Sequence, residues 1–158
     1  MAVRYKRFRR AATGSVVVEM ALILPLFLIL LAAPLYIARA AWFYSAGQKA
    51  AHDATRYLAT ATQAELRTPG GGFNEARVSA IARWIAQQEL GEVVPFTDGI
   101  AIAIECDGDV CGGLIPGRVR TGIRISLQDN LLGGLTTQYL GYTDMAMTSD
   151  VTMRYVAD

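Results

Sequence analysis

Met20 to Ala38 is a run of nineteen residues without a charge, and it restricts the fold more than any other stretch of the chain. As a helix it spans roughly 28 Å at about 1.5 Å per residue, close to the roughly 30 Å hydrocarbon core of a bilayer. A helix in a soluble core rarely stays apolar on every face for that length. Val16 to Val18 carry the run past a carboxylate, Glu19. Pro25 and Pro34 lie inside it. Each removes a backbone donor and crowds the carbonyl four residues earlier, at Ala21 and Leu30. Membrane helices tolerate this better than soluble ones, so the run is expected to kink or unwind locally.

Charge gives the run a direction. Arg4, Lys6, Arg7, Arg9 and Arg10 precede it with no acid among them, and the other ten bases face fourteen acids, a net of −4. Bases beside the first apolar segment resist translocation, which predicts a cytoplasmic N-terminus. The whole chain carries +1, so its charge makes no case for nucleic-acid binding. A secretory signal would use the same basic stub, with Ala38-Arg39-Ala40 as a small-x-small cleavage site. Its apolar core would be shorter, however, and would not hold a carboxylate near its start.

Past Arg39 the pattern becomes amphipathic. Ser45, Gln48, Lys49, His52, Asp53 and Arg56 share one helical face, and Phe43, Ala46, Gly47, Ala50, Ala51, Ala54 and Leu58 the other. Gly47 with Ala51, and Ala50 with Ala54, are small-xxx-small pairs that admit a close backbone. The partner is either the protein's own small domain or another subunit. Nothing but Gly47 interrupts a helix before Glu65, so one helix is expected from about Ser15 to Leu66. "RTPGGGFN" then ends it.

A second helix is expected from an Asn74 N-cap, with Phe73 and Val78 as a hydrophobic staple, a stripe of Val78, Ile81, Ala82 and Ile85, and a stop at Gly91. The period then becomes two. "GIAIAIEC", "RVRTGIRISL" and "AMTSDVTMRYV" each alternate, placing Val119, Ile123, Ile125 and Leu127 on one face, and Met147, Val151, Met153 and Tyr155 likewise. Three such strands make a sheet with one wet side, its apolar side covered by either helix. The body beyond Leu66 is small, so a disulfide between Cys106 and Cys111, which flank "DGDV" after the first strand, would matter to it. Such a bond is expected outside the cytoplasm.

Chemistry is scarce. No Ser/His/Asp, Cys/His or H-x-x-E arrangement occurs, and the single His52 lies on the polar helix face. "TPGGGF" lacks the Lys-Ser/Thr and the preceding strand of a phosphate loop. Asp107, Gly108 and Asp109 read as a turn before they read as a calcium site. No catalytic, cofactor-binding or metal-ligating residue is therefore assigned, and the chain is not expected to be an enzyme.

Gly14-Ser15-Val16-Val17-Val18-Glu19 resembles the processing site of prepilins and pseudopilins, where a membrane aspartic peptidase cuts after Gly and a Glu is fifth in the mature chain. More narrowly, "TGSVVVEMALILPLFLILL" followed by "AAHDATRY" resembles TadE-like pseudopilins of the tight-adherence (Flp) pilus machinery, over about residues 9–62. Met20 departs from the aromatic residue common after that Glu.

The patterning and the resemblance together give an α+β, pilin-like fold: a basic cytoplasmic leader (1–14), an N-terminal helix (15–66, membrane span about 16–38, amphipathic extension 39–66) and a small periplasmic head (67–158) with one helix and about three antiparallel strands. The resemblance implies Gly14, Ser15, Glu19 and Met20 as the processing site. It implies the bacterial inner membrane as location. The implied partners are membrane lipid, a prepilin peptidase, other pilin or pseudopilin subunits and the assembly platform, with no nucleic acid and no small-molecule substrate. An uncut single-pass anchor, or a soluble module released after Ala40, are the alternatives. Cutting after Gly14 would leave a Ser15 ammonium heading an apolar helix, and Glu19 one turn along could compensate that charge when helices bundle. Alternatively Glu19 sits at headgroup level, favoured by the helix N-terminus.

Overall fold

The computed structural model describes residues 12–70, 75–128 and 144–156. The chain divides into two compact units, Met1–Arg39 and Ala40–Asp158. Helix α1 is assigned over Ala12–Thr60, with Pro25 and Pro34 inside it. The expected unwinding is not seen, since both prolines lie within unbroken helix. Each costs one backbone bond, and the turns on either side retain theirs.

α1 stops before the expected Leu66. Ala61 and Thr62 leave the helix, and a short helix α2 restarts over Gln63–Arg67. The cause is a capping box. The Thr62 side chain accepts from the Glu65 N–H while Glu65 reaches back to the Thr62 N–H, a pairing that stabilises a helix start by about 1 kcal/mol.

α3 covers Arg77–Glu89. Its N-cap is Ala76, without a side-chain cap bond, rather than Asn74. Asn74 and Phe73 lie outside the described residues. The Ala76 N–H donates instead to the Cys111 carbonyl at 2.7 Å, and the Arg77 N–H to that of Thr68 at 2.9 Å, so tertiary bonds take the place of a side-chain cap. The buried side of α3 is Val78, Ser79, Ala82 and Ala86, with Ile81 and Ile85 at its margin. That is a rotation from the expected stripe. The helix closes with Leu90 in αR conformation, and Gly91 donates to the Gln88 carbonyl. A 3-10 turn at Val94–Phe96 leads into the sheet.

β1 (Thr97–Cys106), β2 (Arg118–Gln128) and β3 (Asp144–Arg154) form an antiparallel sheet in the order β1-β2-β3. The fold is α+β, a long apolar N-terminal helix followed by a small head. The alternation seen in the sequence sets the faces. Ile104, Val119, Ile123, Ile125 and Leu127 are buried with Thr121 and Ser149 between them. The amphipathic half of α1 covers this side through Phe43, Ala50, Ala51, Ala54, Thr55 and Leu58, all fully buried, and α3 packs beside β1. Burying Phe43 or Leu58 contributes about 1.5–3 kcal/mol each by area removed from water.

Candidate functional site

In the first unit the segment that the resemblance implies as a processing site occupies the start of α1. The backbone of Gly14 and Ser15 is helical, and their side chains lie outside the described residues. Glu19 follows Ser15 by one turn and is exposed, as is Met20 at 61%. From Val16 to Leu31 every large apolar side chain is exposed, Leu22 at 73% and Leu30 at 70%. None of this stretch is buried within the chain's own fold, and it is long and apolar enough to cross a membrane. Exposed apolar surface on this scale calls for lipid or other helices.

In the second unit the small residues of α1 meet the sheet. A Cβ added at Gly47 would touch Ser149 and Ile125. Ala50, Ala51 and Ala54 are fully buried beside it. In the structure this face packs on the protein's own strands. Thr55, a polar residue that the helical pattern did not place inside, is buried and donates to the Ala51 carbonyl at 2.6 Å. Lys49 on the opposite face reaches Glu89 of α3 at 2.6 Å, and the Glu89 carboxylate raises the lysine's pKa. The Tyr155 hydroxyl donates to the Ala61 carbonyl at 2.7 Å, and the Val156 N–H to that of Ala59. These bonds tie the end of β3 to the end of α1.

Cys106 and Cys111 form the disulfide, with Cα atoms 4.8 Å apart. Asp107 and Gly108 both have positive φ, 53° and 90°, the signature of a tight two-residue hairpin turn. Cys106 and Asp109 close it through reciprocal backbone bonds. The Asp107 carboxylate accepts the N–H groups of Gly117 and Arg118, both at 2.8 Å, and Asp109 accepts that of Val110. Both carboxylates thus serve the turn. Among the described residues no group of three or more His, Cys, Asp or Glu is placed to hold a metal.

The wet face of the sheet carries an ion-pair bridge that required the strand register to find. Arg120 on β2 binds Asp150 of β3 through Nε at 2.8 Å and Glu105 of β1 through Nη1 at 3.0 Å. Hydrogen bonding to Arg120 holds the Asp150 carboxyl below its usual range. His52 lies 3.6 Å from Asp53 on the exposed side of α1.

These features define a class: a chain with, among the described residues, one membrane-capable apolar helix near its N-terminus and a small, disulfide-tied α+β head. Residues 14–56 match the family model described as TadE-like protein, so this stretch of the chain is similar to that family. The match begins at Gly14, includes Glu19 and ends four residues before α1 does. The sheet and the disulfide lie outside it. No curated protein and no solved structure matches the chain.

Proposed function

We propose that this chain is a membrane-anchored, pseudopilin-like subunit that acts by assembly, without catalysis, in a tight-adherence pilus system. Its leader stays in the cytoplasm and is cut after Gly14 by a prepilin peptidase, and its head lies in the periplasm. The observation that carries this reading is the TadE-like match over residues 14–56. It starts at the proposed cut and takes in the whole apolar segment. Two further features support it. The membrane-capable stretch of α1 is not buried within the chain's own fold, so its surface is available to lipid and to other helices. The disulfide suits an oxidising compartment. Partner subunits and the assembly platform would meet the protein through the exposed part of α1.

A second reading keeps one observation. The second compact unit begins at Ala40, so release after that residue would leave the head nearly whole as a soluble module. Mass spectrometry of the mature N-terminus tests both. A chain starting at Ser15 supports the pseudopilin, one starting at Ala41 the released module, and one starting at Met1 an uncut anchor.

A further inference from the structure

β1 is an outer strand of the sheet. Its hydrogen-bonding parity follows from the register. Asp107 N–H donates to the Arg118 carbonyl, and the β1–β2 partners continue that pairing through Glu105 with Arg120 and Ala103 with Gly122. The alternate residues Ile100, Ile102 and Ile104 therefore point their N–H and C=O groups away from β2. Cys106, next in the series, spends its own two groups on Asp109, which closes the edge at that end. What remains, among the described residues, is a row of three residues with six outward backbone groups, at the roughly 6.8 Å repeat of an extended strand.

Beside this edge lies an apolar cavity of about 310 Å³, lined by Leu90 and Val94 after α3, Ile100 and Ile102 on β1, and Gln87. The other outer strand differs. Tyr155 N–H donates to the Gly117 carbonyl, so the same parity turns Ala146, Thr148, Asp150 and Thr152 outward, and most of their side chains are polar. Polar and charged outer strands discourage pairing, and an apolar one with an adjoining pocket invites it.

We propose that the β1 edge is a docking site for an extended segment of a partner polypeptide, added as a fourth strand. Its backbone would pair with Ile100, Ile102 and Ile104, and its alternate side chains would enter the cavity. Charge selects the occupant. Glu92 lies between two cavity-lining residues and Asp98 two residues before another, and neither makes an ion pair among the described residues. The partner strand thus has aliphatic side chains at alternate positions and a basic residue at the end that meets Glu92 and Asp98.

Amide hydrogen exchange on the full chain in detergent micelles tests this, with the synthetic peptide Lys-Val-Thr-Val-Thr-Val-Lys as probe. At a peptide concentration ten times its Kd, exchange at Ile100, Ile102 and Ile104 should slow by about tenfold. Ile102→Pro, tolerated at an outer position but lacking the central N–H, should abolish that protection. The double change Glu92→Lys and Asp98→Lys, at two exposed positions, should reverse the preference toward the same peptide with Glu at both ends. No slowing at β1, equal slowing in Ile102→Pro, or slowing confined to other elements would overturn the proposal.

Discussion

Gly47 of α1 faces Ser149 of β3 so closely that a Cβ there would lie 2.8 Å from the serine Oγ and 3.2 Å from Ile125 Cδ1. The glycine is a packing requirement, because helical residues other than Gly and Pro are intrinsically better by up to about 1 kcal/mol. Gly47→Leu should therefore destabilise the head by about 1–3 kcal/mol through overpacking. Gly47→Ala sets a helix gain against the serine contact. Combining it with Ser149→Ala removes the contact, and the double variant should exceed the sum of the single effects by about 0.5 kcal/mol or more. Chemical denaturation followed by tryptophan fluorescence checks this, and additive effects would contradict it.

The disulfide joins the end of β1 to the segment whose carbonyl holds the start of α3. Replacing both cysteines by serine should lower stability by about 2 kcal/mol, the entropy expected for so short a closed loop. The loss should be visible in the amide of Ala76, which donates to the Cys111 carbonyl. Its hydrogen exchange should rise more than that of Ile123 in the centre of β2. Thiol labelling of protein from cells, without reductant, should find both sites blocked.

Arg120 makes the sheet's stability depend on acid. Its hydrogen bonds depress the Asp150 pKa, so the folded state binds fewer protons at that site than the unfolded chain does. The stabilisation is present above the ordinary carboxylate value near 4 and is lost as pH falls through the lower folded value. The groups are on the surface, so the effect should be small and shrink in high salt. Arg120→Gln should flatten the acid limb of a stability profile between about pH 5 and pH 2. An unchanged limb would show that the bridge does not contribute.

The strands and the apolar run were readable because each repeats a period that burial enforces. Alternation in "RVRTGIRISL" sends Val119, Ile123 and Ile125 inward whatever the neighbours are. The break at Ala61 is also written, in the capping box Thr62-Gln63-Ala64-Glu65, although no Pro or Gly marks it. The start of α3 was not legible. Its cap comes from the Thr68 and Cys111 carbonyls, which only the folded chain brings there. The same holds for Arg120, whose partners lie fifteen and thirty residues away, and for the opposition of Gly47 and Ser149. Local pattern names the faces of an element, and register decides which side chains meet.

The proposed processing segment can be dissected at Gly14 and Glu19. Gly14→Val should block cutting, because a branched side chain would crowd the narrow peptidase subsite that a glycine implies. Glu19→Ala should act later. Removing a carboxylate from an apolar helix makes membrane insertion less costly, so fractionation should find the protein in the membrane as before. Gel mobility should show at least partial cleavage, since Gly14 is intact. Assembly should fail nonetheless. In the proposed assembly Ser15 would be the N-terminus, its ammonium would enter a bundle of apolar helices, and Glu19, one helical turn along, would be the carboxylate that offsets it. Electron microscopy of the same strain scores pili. Normal piliation with Glu19→Ala would eliminate the charge-pairing role and leave Glu19 as an interfacial residue, stabilised near a helix N-terminus by about 0.3–1 kcal/mol.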